Sequence, residues 1–297
     1  MGTALTDLLQ VLISSLGQGS VYALLALGLT LIFRSTTTVN FAHGSLFMLG
    51  AFVALELMIF GVPYLVAIVG SLVFMAILGW VIDKVAFEPL LKKDHVTQVF
   101  ATVAVSFIVT GIARYFTVDQ RGMPPLLGDA AYIKSAGLAI NTQHLAMIAS
   151  LIAVSLVLGY FFQRTRIGLV IRACTSNLRG ADLVGINVKR VFAIMWALGA
   201  VLAGLAGILA APTLLVGPDI GNRPLVIGLA AMALGGFGSI PGALIGGLAM
   251  GLLEGFSGFY ISTQLGAVAG LVVVLALLIA RPSGLLGMKD TRMQVMT

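Results

Sequence analysis

Charge is what this sequence has least of. Only 9% of its 297 residues are Asp, Glu, Lys or Arg, whereas soluble domains carry roughly 25%. Together with 59% hydrophobic residues and a mean hydropathy of +1.09, that deficit defines an all-α, polytopic integral membrane protein. Cysteine is nearly absent as well. Cys174 stands alone, which excludes an internal disulfide and a thiol metal cluster. The three histidines, His43, His95 and His144, lie on separate segments. No HExxH, GxxxxGK[ST] or GxSxG occurs, so zinc proteolysis, P-loop ATP hydrolysis and an esterase elbow lack their side chains. No polar stretch exceeds about 30 residues, which leaves no room for a separate water-soluble domain. Heptads, low-complexity tracts and internal repeats are not evident. The start, MGTALTDLLQ, has neither a basic n-region nor a small-residue cleavage site, and no cleaved signal peptide is expected. The net charge of +6 points to no nucleic acid partner; in a membrane chain it records the cytoplasmic bias of Lys and Arg.

What charge there is clusters. The segment 163–190, QRTRIGLVIRACTSNLRGADLVGINVKR, holds Arg164, Arg166, Arg172, Arg179, Lys189 and Arg190 against one acid, Asp182. Apolar runs of about 20 residues flank it, long enough to cross a core of about 30 Å. A basic segment between two spans sits in water, and the positive-inside rule places it in the cytoplasm. It is longer than two neighbouring helices need for a connection.

Further spans are expected at 8–33, 41–60, 64–82, 99–118, 144–162, 191–211 and 263–280. Loop 83–98, with Lys84, Lys92 and Lys93, and the tail, with Arg281, Lys289 and Arg292, join the cytoplasmic face. Loop 119–142 is balanced, Arg121 and Lys134 against Asp119 and Asp129, and suits the outside. Arg114 snorkels to the interface, and Glu56 reaches water near the end of its span. Asn40 or Thr38 is the expected N-cap of the second helix.

Stretch 225–256 resists this parsing. As one helix it would be about 48 Å long, yet GGFGSIPG at 235–242 cannot continue a helix comfortably. A broken or re-entrant pair fits better, provided protein or a water-filled cavity covers its backbone. Charge parity agrees. If the stretch enters and returns, the basic tail ends in the cytoplasm and the N-terminus outside.

The first span carries Ser14, Ser15, Gly17, Gln18, Gly19, Ser20 and Tyr22 at bilayer depth. Small residues there serve helix packing, but Gln18 facing lipid would leave an amide unsatisfied. A polar cavity is the functional alternative. The expected substrate path is therefore Ser14, Gln18 and Tyr22, with Asn40 and His43 as secondary candidates. His43 also fits a hydrogen-bonded interfacial histidine, and Glu254 an interfacial acid. Ion-coupled carriers need carboxylates or unwound polar helices near the midplane, and Glu254 is the sole candidate in the broken stretch. These features leave a passive pathway, needing an outside motor or acting as a channel.

Four long stretches carry a resemblance: GSVYALLALGLTLIFRSTTTVNFAHGSLFMLGAF (19–52), RTRIGLVIRACTSNLRGADLVGINVKR (164–190), ALGGFGSIPGALIGGLAMGLLE (233–254) and RPSGLLG (281–287). In order and over nearly the whole chain, they resemble the LivH-type permeases of branched-chain amino acid ABC importers. The resemblance implies a single permease domain, 1–297, of about eight transmembrane helices in the bacterial inner membrane. It also implies a second related permease, two cytoplasmic ATPases that bind the ATP, and a periplasmic binding protein. The chain itself would be no enzyme and hold no cofactor. In such permeases the ATPase docks just before a GIN motif, here Gly185-Ile186-Asn187. That makes Arg172, Asn177, Arg179 and Ala181, with the motif itself, the expected coupling residues, and a short helix over 179–183 the expected plug. The same family takes urea, short amides and aromatic or carboxylic compounds, so the substrate stays open among these.

Overall fold

The computed structural model describes residues 2–91, 93–116, 118–126, 132–135 and 138–287. Lys92, Asp129, Lys289 and Arg292 lie outside them. The architecture is a helical bundle built around its first helix. α1 (Gly2–Thr36) has 35 residues, about 52 Å at 1.5 Å per residue, longer than the apolar layer requires. Of its most apolar window 83% is buried, and of that of α8 (Val188–Ala210) 72%. By contrast α3 (Tyr64–Ile82), α4 (His95–Phe116) and α5 (Thr142–Arg164) bury only 22–28% of theirs. Side chains such as Val66, Val73, Ile77, Phe107 and Leu156 point outward. An apolar face left uncovered on three long helices is what a lipid-facing perimeter requires.

Six helices among the described residues are long and apolar enough to cross a bilayer. α2 (His43–Ile59), with 17 residues, and α11 (Thr263–Ala280), with 18, are shorter apolar helices beside them. The centre is closed by glycines. A Cβ on Gly50 of α2 would fall on the Cα of Gly204 in α8, so these backbones touch. Such close approach replaces the hydrophobic effect, which does not drive helix association within lipid.

The expected break is present, but its two halves are unequal. α9 (Asn222–Gly235) is a half-length helix of 14 residues. The turn after it uses Gly236 at φ 100° and Gly238 at φ 77°, where an L side chain would be strained. α10 (Ile240–Tyr260) has 21 residues and crosses in full, so the second half is not marginal. Ser239 caps it, accepting from Gly242 N at 3.1 Å, and Pro241 occupies the first turn, where its missing N–H costs nothing. The turn is pinned from two sides. Arg34 Nε donates to the Gly238 carbonyl at 2.7 Å, and Leu285 N and Leu286 N donate to the carbonyls of Leu234 and Gly235 at 2.8 and 2.9 Å. The end of α1, the α9–α10 turn and the start of the tail therefore share one face.

On that face too lie α6 (Arg166–Ser176) and α7 (Leu178–Leu183). The expected short helix is there, starting one residue earlier. Thr165, Asn177 and Asn187 cap α6, α7 and α8 in turn with their side-chain oxygens. Lys189 reaches Glu88 at 2.8 Å, which ties the basic segment to the loop after α3. At the opposite face, Arg121 pairs with Glu56 at 2.9 Å and Arg114 with Asp219 at 2.9 Å. Arg114 thus meets a carboxylate as well as the interface, and Glu56 is held by a partner.

Two expectations need correction. The second helix starts at His43 with Ala42 as its N-cap, and no side chain caps it. Asn40 Oδ1 instead accepts from Ala42 N at 2.9 Å, an Asx turn before the helix. Thr38 is drawn to α4, where its hydroxyl donates to Gln98 Oε1 at 2.6 Å. The loop 119–142 also contains a short hairpin, β1 (Tyr132–Ser135) against β2 (Leu138–Asn141), the one sheet among the described residues.

Candidate functional site

The cavity expected on the first span exists. It has a volume of about 250 Å³ and is lined by Ser14, Ser15, Gln18, His144, Gly251, Glu254 and Gly255. Three elements build it. α1 supplies the serines and Gln18 one helical turn apart. α10 runs antiparallel to α1, since Gly251 approaches Gly19 and Gly255 approaches Ser15. α5 contributes His144 from its first turn. A Cβ on Gly17 would come within 2.7 Å of His144 Cβ, so Gly17 is what admits the imidazole to the rim.

A chain of hydrogen bonds runs along the wall. Gln18 Nε2 donates to Tyr22 Oη at 3.1 Å, and Tyr22 Oη donates to Glu254 Oε2 at 2.7 Å. Glu254 Oε1 pairs with Arg223 Nη2, from the first turn of α9. Every member points its hydrogen the same way, toward the carboxylate, so each bond polarises the next. The two donors to Glu254 differ in freedom. Tyr22 is buried at 2% exposure, whereas the Arg223 side chain is 62% exposed against 17% for Glu254. Ser15 Oγ, buried in the cavity floor, has no hydrogen-bond partner among the described residues.

Ser14, Gln18 and Tyr22 are thus brought together as expected, Tyr22 through the bonded wall and not the lining. Asn40 and His43 are not. Asn40 is buried at 2% in its Asx turn. His43 is fully buried between α1 and α8, against Gly28. Reasoning from sequence passed over His144 and Arg223. The signal for His144 was the small residue opposite it. Arg223 and Glu254 stand 31 residues apart, and nothing in the chain links them before the break folds α9 onto α10. No group of three or more His, Cys, Asp or Glu that could hold a metal occurs among the described residues.

The second set of candidates forms a surface rather than a cavity. Arg172, Asn177, Arg179, Gly185 and Asn187 are exposed, and Ile186 is half-buried. Ala181 is buried at 4% and faces the bundle, so it cannot itself touch a partner. The apolar tip of α7 was not expected: Leu183 and Val184 are 87% and 76% exposed, and Leu178 44%. Gly185, at φ 82°, turns the chain directly after this tip. Cys174 is buried on the inner side of α6, and burial pushes its thiol above the usual range.

A lipid-facing helical perimeter, a polar cavity on the central helix and a basic, apolar-tipped segment on one face define a multi-pass membrane permease. A family model described as "Branched-chain amino acid transport system / permease component" matches residues 11–286, and the chain belongs to that family. It is 31% identical to the high-affinity branched-chain amino acid transport system permease protein LivH of Escherichia coli K12, covering 94% of this chain and 95% of the relative. BraD of Pseudomonas aeruginosa, named for the same transport, is also 31% identical with the same coverage. The ribose import permease protein RbsC of Escherichia coli K12 is 29% identical over 90% of this chain and 84% of its own length.

Proposed function

We propose that this chain is the permease subunit of an ATP-driven importer that carries branched-chain or related hydrophobic amino acids across the bacterial inner membrane. The observation that carries the reading is the cavity on α1, a polar site on the most buried helix of a family of permease components. The names of LivH and BraD favour the amino acid substrate, while RbsC shows that a related chain serves a sugar. A second permease, two ATPases and a binding protein complete the assembly, with lipid around it and no nucleic acid. The basic face is cytoplasmic, by the positive-inside rule. ATP is bound by the partners, since this sequence has no P-loop.

Coupling runs through α7. Leu178, Leu183 and Val184 form an exposed apolar knob on a segment that also exposes Arg172, Arg179 and Arg190, suited to a groove with an acidic rim. The charges steer and align, and the apolar tip supplies affinity. Asn177, Asn187, Gly185 and Ile186 hold the knob in shape, and Ala181 anchors it inward. Ion-coupled transport is disfavoured because Glu254, its best carboxylate, is engaged by Arg223 and Tyr22. The test is leucine uptake into proteoliposomes. Uptake that needs the ATPases and ATP supports the proposal, whereas uptake by this chain alone along an ion gradient overturns it.

A further inference from the structure

The cavity and the ion pair beside it carry one inference more, which rests on the permease reading. We infer that Arg223 and Glu254 form an exchange site for the zwitterionic head of an α-amino acid. In the resting site the two side chains neutralise each other. In the loaded site Arg223 takes the substrate carboxylate and Glu254 its ammonium group.

Charge balance makes this exchange accessible beside the cavity, where the Glu254 side chain is largely buried. An uncompensated charge there is costly, and removing one partner from a buried pair leaves such a charge. A zwitterion has no net charge. Inserting it turns one ion pair into two, and the site is neutral before and after. A net cation or anion would leave one charge over, so the same geometry disfavours both.

The two halves are also built for unequal roles. Glu254 is held from behind by the Tyr22 hydroxyl at 2.7 Å, itself held by Gln18 at 3.1 Å, and stays in place when Arg223 leaves. Arg223 has Glu254 as its one ion-pair partner among the described residues, and its side chain is mostly exposed. It is the half that swings. Its guanidinium can grip a carboxylate with two parallel N–H donors, which a lysine could not. Glu254 lines the cavity directly, and the unpartnered Ser15 Oγ in the floor offers a further donor to the incoming head group.

The test compares leucine with 4-methylpentanoate, the same carbon skeleton without the ammonium group. Binding of each to the full chain in nanodiscs is read by ligand-induced thermal shift. The native chain is expected to prefer leucine at least tenfold, and Glu254→Gln to bring that preference within twofold while retaining 4-methylpentanoate binding. Arg223→Gln should weaken both ligands. A purely structural ion pair would instead lower stability and leave the preference as it was. A native chain with no preference, or a Glu254→Gln variant that keeps it, overturns the exchange site. If Glu254→Gln does not fold, the native preference for leucine over 3-methylbutylamine, which lacks the carboxylate, decides through the other half of the head group. Since binding is measured without ATPases, failure here leaves ATP-driven uptake by the native importer intact, and failure of uptake leaves this binding intact.

Discussion

Removing one oxygen from Tyr22 should cost a measurable and partner-specific amount. In Tyr22→Phe the donor to Glu254 Oε2 disappears, as does the acceptor for Gln18. Hydrogen bonds to charged groups contribute about 1.5–3 kcal/mol in general. Between membrane helices the measured coupling is smaller, about 0.6 kcal/mol on average and about 1.7 at most. The charged acceptor at 2.7 Å and the 2% exposure of Tyr22 place this bond in the upper part of that range. Gln18 lines the cavity, so water replaces its lost partner at little cost. The expected loss is therefore about 1–1.5 kcal/mol, or about 1.5–2.5 °C in Tm for a chain of this size. Glu254→Gln should cost a similar amount, because the exposed Arg223 loses its partner to water at little cost. The informative quantity is the coupling in a cycle of Tyr22→Phe, Glu254→Gln and the double variant, measured by reversible unfolding in mixed micelles. About 1 kcal/mol of coupling is predicted. Additivity within about 0.3 kcal/mol, as for independent sites, would refute the hydrogen-bonded wall.

Three further outcomes follow from the packing. Gly50→Leu drives a side chain into Gly204 and should lower stability by at least about 1–3 kcal/mol, whereas Gly111→Leu, with nothing within 4 Å of its Cβ, should leave Tm unchanged; equal effects would undo the distinction between centre and perimeter. Leu183→Ser combined with Val184→Ser alters the exposed tip of α7, and co-purification should lose the ATPases while Tm of the chain stays within about 1 °C. Cys174, buried and with its thiol raised, should resist maleimide at pH 7 in the folded chain and react on unfolding; rapid labelling of the native protein would contradict its place on the inner side of α6.

The crossings were readable because about 20 apolar residues leave few alternatives, and 64–82 and 263–280 coincide with α3 and α11. The break was readable from Gly and Pro, but its position was blurred. Glycine lowers the apparent hydropathy of α10 while permitting its contact with α1 at Gly19 and Ser15, so a full crossing resembled a marginal one. Asn40 and His43 misled for a related reason: polar residues at a helix start signal both caps and sites, and here they pack. Gln18 and Tyr22, four residues apart on one helix face, were legible as a pair. Their acceptor Glu254 and its partner Arg223 were not, because only the tertiary fold joins α9, α10 and α1 there. Ala181 lies on α7 but on its inner side, which the sequence did not reveal, since the alternation along a six-residue helix is too short to orient by pattern.

The central claim is that substrate passes along α1, and Gln18→Ala in the assembled importer tests it most directly. With ATPases, binding protein and ATP present, leucine uptake into proteoliposomes should fall about tenfold, one bond's worth at about 1.4 kcal/mol, while the chain assembles normally. Native uptake from a normally assembled Gln18→Ala importer would contradict the account.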